Sequence, residues 1–370
     1  MKPGREDKAL GKGALAIRLE PDYAQISCNR GVAQIEFRRR NEALVSGGNA
    51  IRLQPDYAPS HYFLALCHLL AGDFARGWEG YEWRWKEAQS EKDRRSFTQP
   101  LWLGEESLKG KTILLSDEQG LGDTLQFSRY AKMVKELGAH VILEVPKPLV
   151  GLVQTLDGPD RLVARHEGSL PSFDCYCPIM SLPLAFKTDL RTIPSPGRYI
   201  SGHPDRVGAW GKRLGRKNRP RIGLAWSGSA PRYRSVPLAV MRSLLCPEFE
   251  WFSLHRDVLE SDVEALDSSP DIHHFGDRMD FDETAALIEH MDLVISIDTS
   301  IAHLAGAMGK PVWVLLPFVP DWRWLLDRED SPWYPRARLF RQDEAGEWGA
   351  VMENVNSALK TWLETEAGSG

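Results

Sequence analysis

Three consecutive polar residues, Asp298, Thr299 and Ser300, stand where a short apolar run gives way to helical spacing. The run before them, Leu293–Ile297, is rich in branched side chains, which is typical of a parallel strand covered on both faces. The helix predicted after them ends at Gly309, and a second apolar strand follows. Side-chain oxygens cap a helix, and the amides of its first turn bind anions. We therefore expect this turn to hold a nucleotide diphosphate.

The alternative for the same segment is an ordinary βαβ unit, because every doubly wound protein contains several. Pattern alone does not separate the two interpretations. His303, four residues after Thr299, falls within the predicted helix and joins the candidate binding residues.

A pair of glycines follows another apolar strand, predicted at 111–116. Gly120 and Gly122 permit a tight turn against a ligand, although such a pair is weak evidence by itself. Spacing of apolar residues predicts a helix over 124–137. Asp123 lies directly before that helix, a position suited to a helix cap.

A third loop, 227–235, connects a strand at 221–226 to a helix and carries Ser227, Arg232 and Arg234. Serines and arginines at such a place are suited to phosphate contact, whereas most single loop arginines are simply exposed to solvent. His255 ends a strand predicted at 250–255. It either contacts the nucleotide or is a partly buried residue at a strand end.

Strands alternate with helices from residue 109 onward, which predicts an α/β class. A boundary region rich in proline, glycine and basic residues, at 194–220, separates a domain at 109–200 from one at 218–345. The tryptophan-rich segment 318–335 is expected after the last strand, with most of its rings in the core. A final helix within 346–364 is expected to pack back over the first of these domains.

An internal repeat marks the amino-terminal part of the chain. Residues 16–24 and 50–58 agree at eight of nine positions with an offset of 34 residues. The repeat is identified as similar to the tetratricopeptide family over 9–88, about two and a half units. Aromatic residues at 77–85 are expected to pack against the following domain; a peptide-binding surface is the alternative.

Composition limits the classes of function. A net charge of −5 over 370 residues argues against a dedicated nucleic-acid binder. Five cysteines without metal spacing indicate reduced thiols, which predicts a cytoplasmic protein with no metal site. No apolar run reaches about 18 residues, so no transmembrane segment is expected.

The string from Thr299 to Pro311 resembles the signature of the heptosyltransferase-type glycosyltransferases. The turn at Gly120–Asp123 resembles the same family's "G-D" turn. The loop containing Arg234 resembles a third family segment, but it is shorter and lacks the usual Asn and His. The resemblance implies the GT-B architecture, in which two Rossmann-like domains face each other across a cleft, here preceded by a short all-α tetratricopeptide array. A distant similarity to O-linked N-acetylglucosamine transferases is also implied.

What the resemblance implies is transfer of a sugar, with inversion, from a nucleotide-diphosphate donor to a hydroxyl of a protein or glycan. Asp123 would be the general base, and no metal or other cofactor would be needed. The repeats would present a protein acceptor or dock a protein partner. The alternatives are a scaffold that no longer turns over, which the shortened 227–235 loop favours, and a sugar-nucleotide epimerase, which an acid pair near His255 would favour.

Overall fold

The computed structural model describes residues 23–86, 95–228 and 232–367. The chain divides into two compact units. The helical unit contains the described residues up to Glu106 together with Met180–Ile193 and Val319–Asp327. The sheet unit contains Ser107–Ile179, Pro194–Phe318 and the described chain from Arg328 onward.

Paired helices form the amino-terminal part of the helical unit. They are α1 (Ala24–Glu36), α2 (Arg40–Leu53), α3 (Ala58–Leu70) and α4 (Phe74–Tyr81), with a 3-10 turn at Glu82–Lys86. Helix α1 packs on α2, and α3 packs on α4. The second pair begins 34 residues after the first, at Ala58 and Phe74 against Ala24 and Arg40. The sequence repeat therefore corresponds to a repeat of helix pairs.

Close helix contacts explain several small residues of the repeat. A β-carbon added to Gly31 would lie 2.7 Å from the Phe63 ring, and one added to Gly80 would lie 2.9 Å from Ala65. Residues 9–22 and 87–88 of the predicted array, and most of the first repeat copy, lie outside the described residues. The assignment to the tetratricopeptide family stays a prediction.

The first parallel sheet has the strand order β3-β2-β1-β4. Its elements are β1 (Thr112–Ser116), α5 (Leu121–Phe127), α6 (Tyr130–Glu136), β2 (His140–Val145), α7 (Val150–Val153), β3 (Arg161–Ala164) and β4 (Cys175–Pro178). The single helix predicted over 124–137 is wrong in two respects. It begins three residues earlier and is interrupted at Ser128 and Arg129, between α5 and α6.

Aromatic residues of the helical unit pack near α8 (Leu182–Ala185) and a 3-10 turn at Trp322–Trp324. The buried Trp78 indole donates to the Thr188 carbonyl over 2.9 Å and meets the Trp322 ring edge-on at 5.3 Å. For the aromatic residues 77–85, packing was expected rather than a peptide-binding surface, and Trp78 is packed in this way. The predicted domain 109–200 needs correction, because this packing assigns 180–193 to the helical unit.

The second parallel sheet has the strand order β10-β9-β8-β5-β6-β7. Its elements are α9 (Pro204–Leu214), β5 (Arg221–Ala225), α10 (Leu238–Met241), β6 (Glu250–Ser253), α11 (Glu260–Asp267), β7 (Ile272–His273), α12 (Phe281–Glu289), β8 (Leu293–Ile297), α13 (Ser300–Ala307), β9 (Val312–Leu316), β10 (Ala337–Arg341) and α14 (Gly349–Ala367). The strand order reverses between β5 and β8. Ligands of such sheets bind where the order reverses, beyond the carboxyl ends of the strands.

Two expectations about the carboxyl-terminal part are wrong. The tryptophan-rich segment does not follow the last strand, because β10 comes after it and pairs with β9. Helix α14 does not pack over the first sheet: Val351, Val355 and Leu359 join the core of the second sheet. Only seven residues connect β10 to α14, and a connection this short keeps consecutive elements adjacent.

The predicted α/β class is confirmed by two parallel sheets with helices between their strands. Within the described ranges, no helix combines the length and apolar character needed to cross a lipid bilayer.

Candidate active site

A capped helix follows the carboxyl end of β8, where the sequence predicts an anion site. Thr299 is the N-cap of α13, and its hydroxyl oxygen accepts a hydrogen bond from the Ile301 amide over 3.3 Å. Strand β8 is fully buried, whereas Thr299 and Ser300 are only half-buried. The first turn of α13 therefore keeps access to solvent, where its amides and the positive end of its dipole favour an anion.

The Asp298 carboxylate has a different role from the one expected. The sequence suggested a capping oxygen, but its buried carboxylate accepts from the Arg234 guanidinium over 3.2 Å. The His303 imidazole lies 3.9 Å from the other carboxylate oxygen. Arg234 thus faces the carboxyl end of β8, as a phosphate-binding residue should, while also holding a carboxylate.

The first sheet reaches the same point through the loop after β1. A β-carbon on Gly122 would lie 2.8 Å from His303 Cδ2, so only glycine allows α5 to approach α13 this closely. Gly122 was expected to permit a tight turn against a ligand; its close neighbour is a protein ring. His303 is held on its other side, where Nδ1 lies 2.8 Å from the Tyr334 hydroxyl.

Asp123 lies inside the helix it was expected to precede. Helix α5 begins at Leu121, and the Asp123 carboxylate accepts from the Gly120 amide over 2.8 Å. Asp123 therefore caps the helix, as expected, but it does so from the first turn of α5 and not from the position before the helix. A carboxylate has further lone pairs for other donors, so this bond leaves a role as base open.

Two acidic residues that the sequence motifs did not include lie at the carboxyl end of β1. Asp117 and Glu118 directly follow β1, and both are more than nine-tenths buried. Asp117 pairs with Arg165 over 3.2 Å, from beyond the end of β3. Gln119, the next residue, is exposed and has a left-handed backbone with φ of 62°. The signal was present: acidic residues directly after a buried strand lie at a sheet's carboxyl edge.

His255 holds the loop after β5 by hydrogen bonds to its backbone. Its buried Nε2 accepts from the amides of Trp226 and Ser227, over 2.9 and 3.4 Å. Burial, with a smaller effect of His274, lowers the pKa of His255 to about 4, so the ring is neutral at pH 7. The hydrogen-bond partners of Nε2 are backbone amides and not acidic side chains, which gives no support to an epimerase. Contact with a nucleotide stays a prediction.

The loop supported by His255 runs to the N-terminus of α13. A β-carbon on Gly228 would lie 2.9 Å from Thr299 Cγ2. Ser227 is buried, and Arg232 opens the 3-10 turn Arg232–Arg234. Residues 229–231 lie outside the described chain. Three loops, after β1, β5 and β8, therefore converge on the first turn of α13.

Arg129 joins the regions of the two sheets, although no sequence pattern indicated it. Lying between α5 and α6 and 3% exposed, it donates to the carbonyls of Gln126, Pro194 and Trp333 over 2.7 to 3.0 Å. It also donates to the Tyr199 hydroxyl over 2.9 Å. Its partners stand up to 204 positions away in the chain, so local patterns carry no signal for them.

Residues 263–316 match the sequence model of glycosyltransferase family 9 (heptosyltransferase). This segment contains β8, α13 and β9. Protein FlbA of Caulobacter vibrioides is 26% identical over 376 aligned residues, which cover 93% of this chain. The chain spans 63% of the length of that relative.

The fold class is also that of a solved structure. The ADP-heptose lipopolysaccharide heptosyltransferase II of E. coli is 13% identical, with a TM-score of 0.50 over 69% of this chain and 99% of that protein. A family 9 glycosyl transferase from Veillonella parvula is 12% identical, with a TM-score of 0.48 over 67% and 90%. A Thermobaculum terrenum O-GlcNAc transferase variant reaches a TM-score of only 0.32, so that relation stays a prediction. The α/β fold with two parallel sheets is therefore the fold shared with heptosyltransferase II, and the predicted division of this part into two domains stays a prediction.

Proposed function

We propose that this protein is a glycosyltransferase that moves a sugar from a nucleotide-diphosphate donor to a hydroxyl of a protein or glycan acceptor. The observation that carries the proposal is the convergence of three loops on the half-exposed first turn of α13, within the segment that matches glycosyltransferase family 9. A single displacement at the anomeric carbon needs no metal ion or other cofactor.

The donor diphosphate would bind at the amides of α13, beside the Thr299 hydroxyl and the Arg234 guanidinium. A helix terminus stabilises one anionic charge by about 0.3–2 kcal/mol, so the arginine contributes as much as the dipole. The buried Asp298 carboxylate, held by Arg234, would accept hydrogen bonds from sugar hydroxyls, because a carboxylate beside a diphosphate repels phosphate but attracts hydroxyl donors.

Transfer would be a single displacement. The acceptor hydroxyl oxygen forms a bond to the anomeric carbon while the bond from that carbon to the phosphate oxygen breaks, which inverts the configuration. Asp123 takes the hydroxyl proton, and the nucleoside diphosphate leaves with its charge stabilised at α13. Asp123 lies in α5, next to Gly122, where an added β-carbon would lie 2.8 Å from His303 of α13.

The test combines a donor screen with one variant. Thermal-shift measurements with UDP-, ADP- and GDP-sugars identify the donor, and release of nucleoside diphosphate measures turnover. Asp123→Asn should keep donor affinity and lose activity about 10²–10⁴-fold. Asn still offers an oxygen to the Gly120 amide, so the helix cap is preserved. Full activity of this variant would exclude Asp123 as the base.

A scaffold without turnover is the second candidate, and one observation favours it. Arg234 and Asp123 both already hold partners within the protein, Asp298 and the Gly120 amide. Donor binding without any release of nucleoside diphosphate, in the presence of protein and glycan acceptors, would support the scaffold.

A further inference from the structure

A cleft in the helical unit lies outside the candidate active site. Its volume is about 560 Å³, within the range of small-ligand and peptide pockets. It is bordered by the turn between α1 and α2 and by the segment that the helical unit receives from the carboxyl-terminal half of the chain. Its lining residues are Ile35, Arg38, Arg39, Arg40, Asn41, Glu42, Leu70, Val319, Pro320, Leu326 and Asp327. We call it the arginine cleft.

Apolar and charged groups of the arginine cleft are mixed. Ile35, Leu70, Val319, Pro320 and Leu326 supply aliphatic surface, and three consecutive exposed arginines stand beside it. Two carboxylates are also present. Glu42 pairs with Arg39 over 2.7 Å, and Asp327 stands in the lining contributed by the second segment.

Backbone strain is concentrated at this cleft. Six non-glycine residues of the described chain have a left-handed backbone, and three of them, Arg38, Leu325 and Asp327, line or adjoin it. At Arg38 the φ angle is 57°, and two hydrogen bonds fix the turn: Arg38 N and Arg39 N donate to the carbonyls of Ile35 and Gln34, each over 2.9 Å. Glycine is the usual residue there. Strain retained in this way is typical of functional sites.

We infer that the arginine cleft binds an acidic, aliphatic segment of a protein partner. The guanidinium groups match carboxylates in geometry and charge, and the aliphatic surface matches the side chains between them. The inference rests on the proposed function in one respect, because the partner is taken to be the protein that accepts the sugar.

The two lining carboxylates select the class of partner. A ligand with dense negative charge, such as polyphosphate or nucleic acid, would meet repulsion from Glu42 and Asp327. Separate carboxylates divided by aliphatic side chains can pair with Arg38 and Arg40 and avoid them. The chain as a whole carries a small net negative charge of −5, so a local group of arginines favours an acidic partner at this place over the rest of the surface.

The experiment measures fluorescence anisotropy of the full chain with a labelled twelve-residue peptide of alternating Glu and Leu. A second peptide carries Gln in place of Glu. The double variant Arg38→Gly with Arg40→Gln should weaken binding of the Glu peptide at least tenfold. Arg52→Gln, which removes an exposed arginine of α2 outside the cleft, should change binding less than twofold.

Arg38→Gly separates binding from folding, because glycine relieves the left-handed backbone. Its Tm should be equal to or above that of the wild type while binding falls. Equal binding of both peptides, equal binding by the double variant, or displacement by inorganic tripolyphosphate at lower concentration than by unlabelled peptide would each overturn the inference. No donor is needed, so a protein that binds peptide but no nucleotide sugar would refute only the proposed function.

Discussion

Two regions of the sheet unit use arginine in opposite ways. Arg129 is 3% exposed and donates to three carbonyls and a hydroxyl from distant parts of the chain. Arg234 is 28% exposed at the side chain and faces one carboxylate, Asp298, at the opening above α13.

The difference separates a structural region from a binding region. The buried Arg129 guanidinium uses four of its five N–H groups on protein oxygens, which fixes the two sheets, and its burial keeps it from a ligand. The partly exposed Arg234 guanidinium lies beside a helix N-terminus, where a bound phosphate can replace the water that contacts it. Changes in the buried region should therefore alter stability, and changes at the opening should alter binding.

The largest effect is expected for Arg129→Ala. Removing the guanidinium leaves buried carbonyls without donors, which should lower the free energy of unfolding by about 3–5 kcal/mol in urea denaturation. Arg198→Ala is the matched control, because that side chain is 48% exposed and pairs with Glu289 at the surface. It should cost less than about 1 kcal/mol. Equal losses in the two variants would contradict a structural role for Arg129.

The second prediction concerns the buried His255 and the pH dependence of the free energy of unfolding. Its pKa is about 4 in the folded protein, below the value of about 6.5 for an unfolded histidine, so the unfolded chain binds more protons between those values. Its contribution is complete above pH 6.5 and is lost as the pH falls towards 4, by about 3 kcal/mol. Urea denaturation at pH 7, 5.5 and 4.5 should show this slope. His255→Gln should show a shallower one, and an unchanged slope would count against the assignment.

Arg234→Ala tests the opening. Loss of a charged donor should weaken binding of the nucleoside diphosphate by about 1.5–3 kcal/mol, roughly 10- to 100-fold, as measured by calorimetry. Arg256→Ala removes an arginine that is 65% exposed beside Asp257, and it should leave the affinity unchanged. If Arg234→Ala bound as tightly as the wild type, the donor site would not lie at this opening.

The smallest effect is expected for Thr299→Val. Loss of the cap on the Ile301 amide should cost about 1 kcal/mol of stability and weaken diphosphate binding several-fold. Thr299→Ser restores the hydroxyl and should restore both quantities. Failure of Ser to restore binding would show that the methyl group, which borders Gly228, matters more than the oxygen.

Much of the site's local structure could be predicted from the sequence. The strand at Leu293–Ile297, the helix after it and the Thr299 cap all follow from residues within about ten positions of one another. The start of α5 could not be predicted as well. Asp123 is an equally good capping residue before a helix or in its first turn, and only the packing of Gly122 against His303 fixes the register.

Other features depend on distance along the chain. The partners of Arg129 and the two sides of the arginine cleft come from segments separated by many elements. Strand β10 was missed because arginines at 338 and 341 interrupt its apolar pattern, which an edge strand tolerates.

By itself the sequence determined the α/β class, the 34-residue spacing of the helix pairs and the capped turn before Ile301, because periodicity and capping are properties of neighbouring residues. Only the tertiary structure decided that Asp298 holds Arg234, that Arg129 joins the two sheets and that residues 319–327 complete a cleft in the helical unit. Such partners are chosen by shape and hydrogen-bond satisfaction across the folded chain.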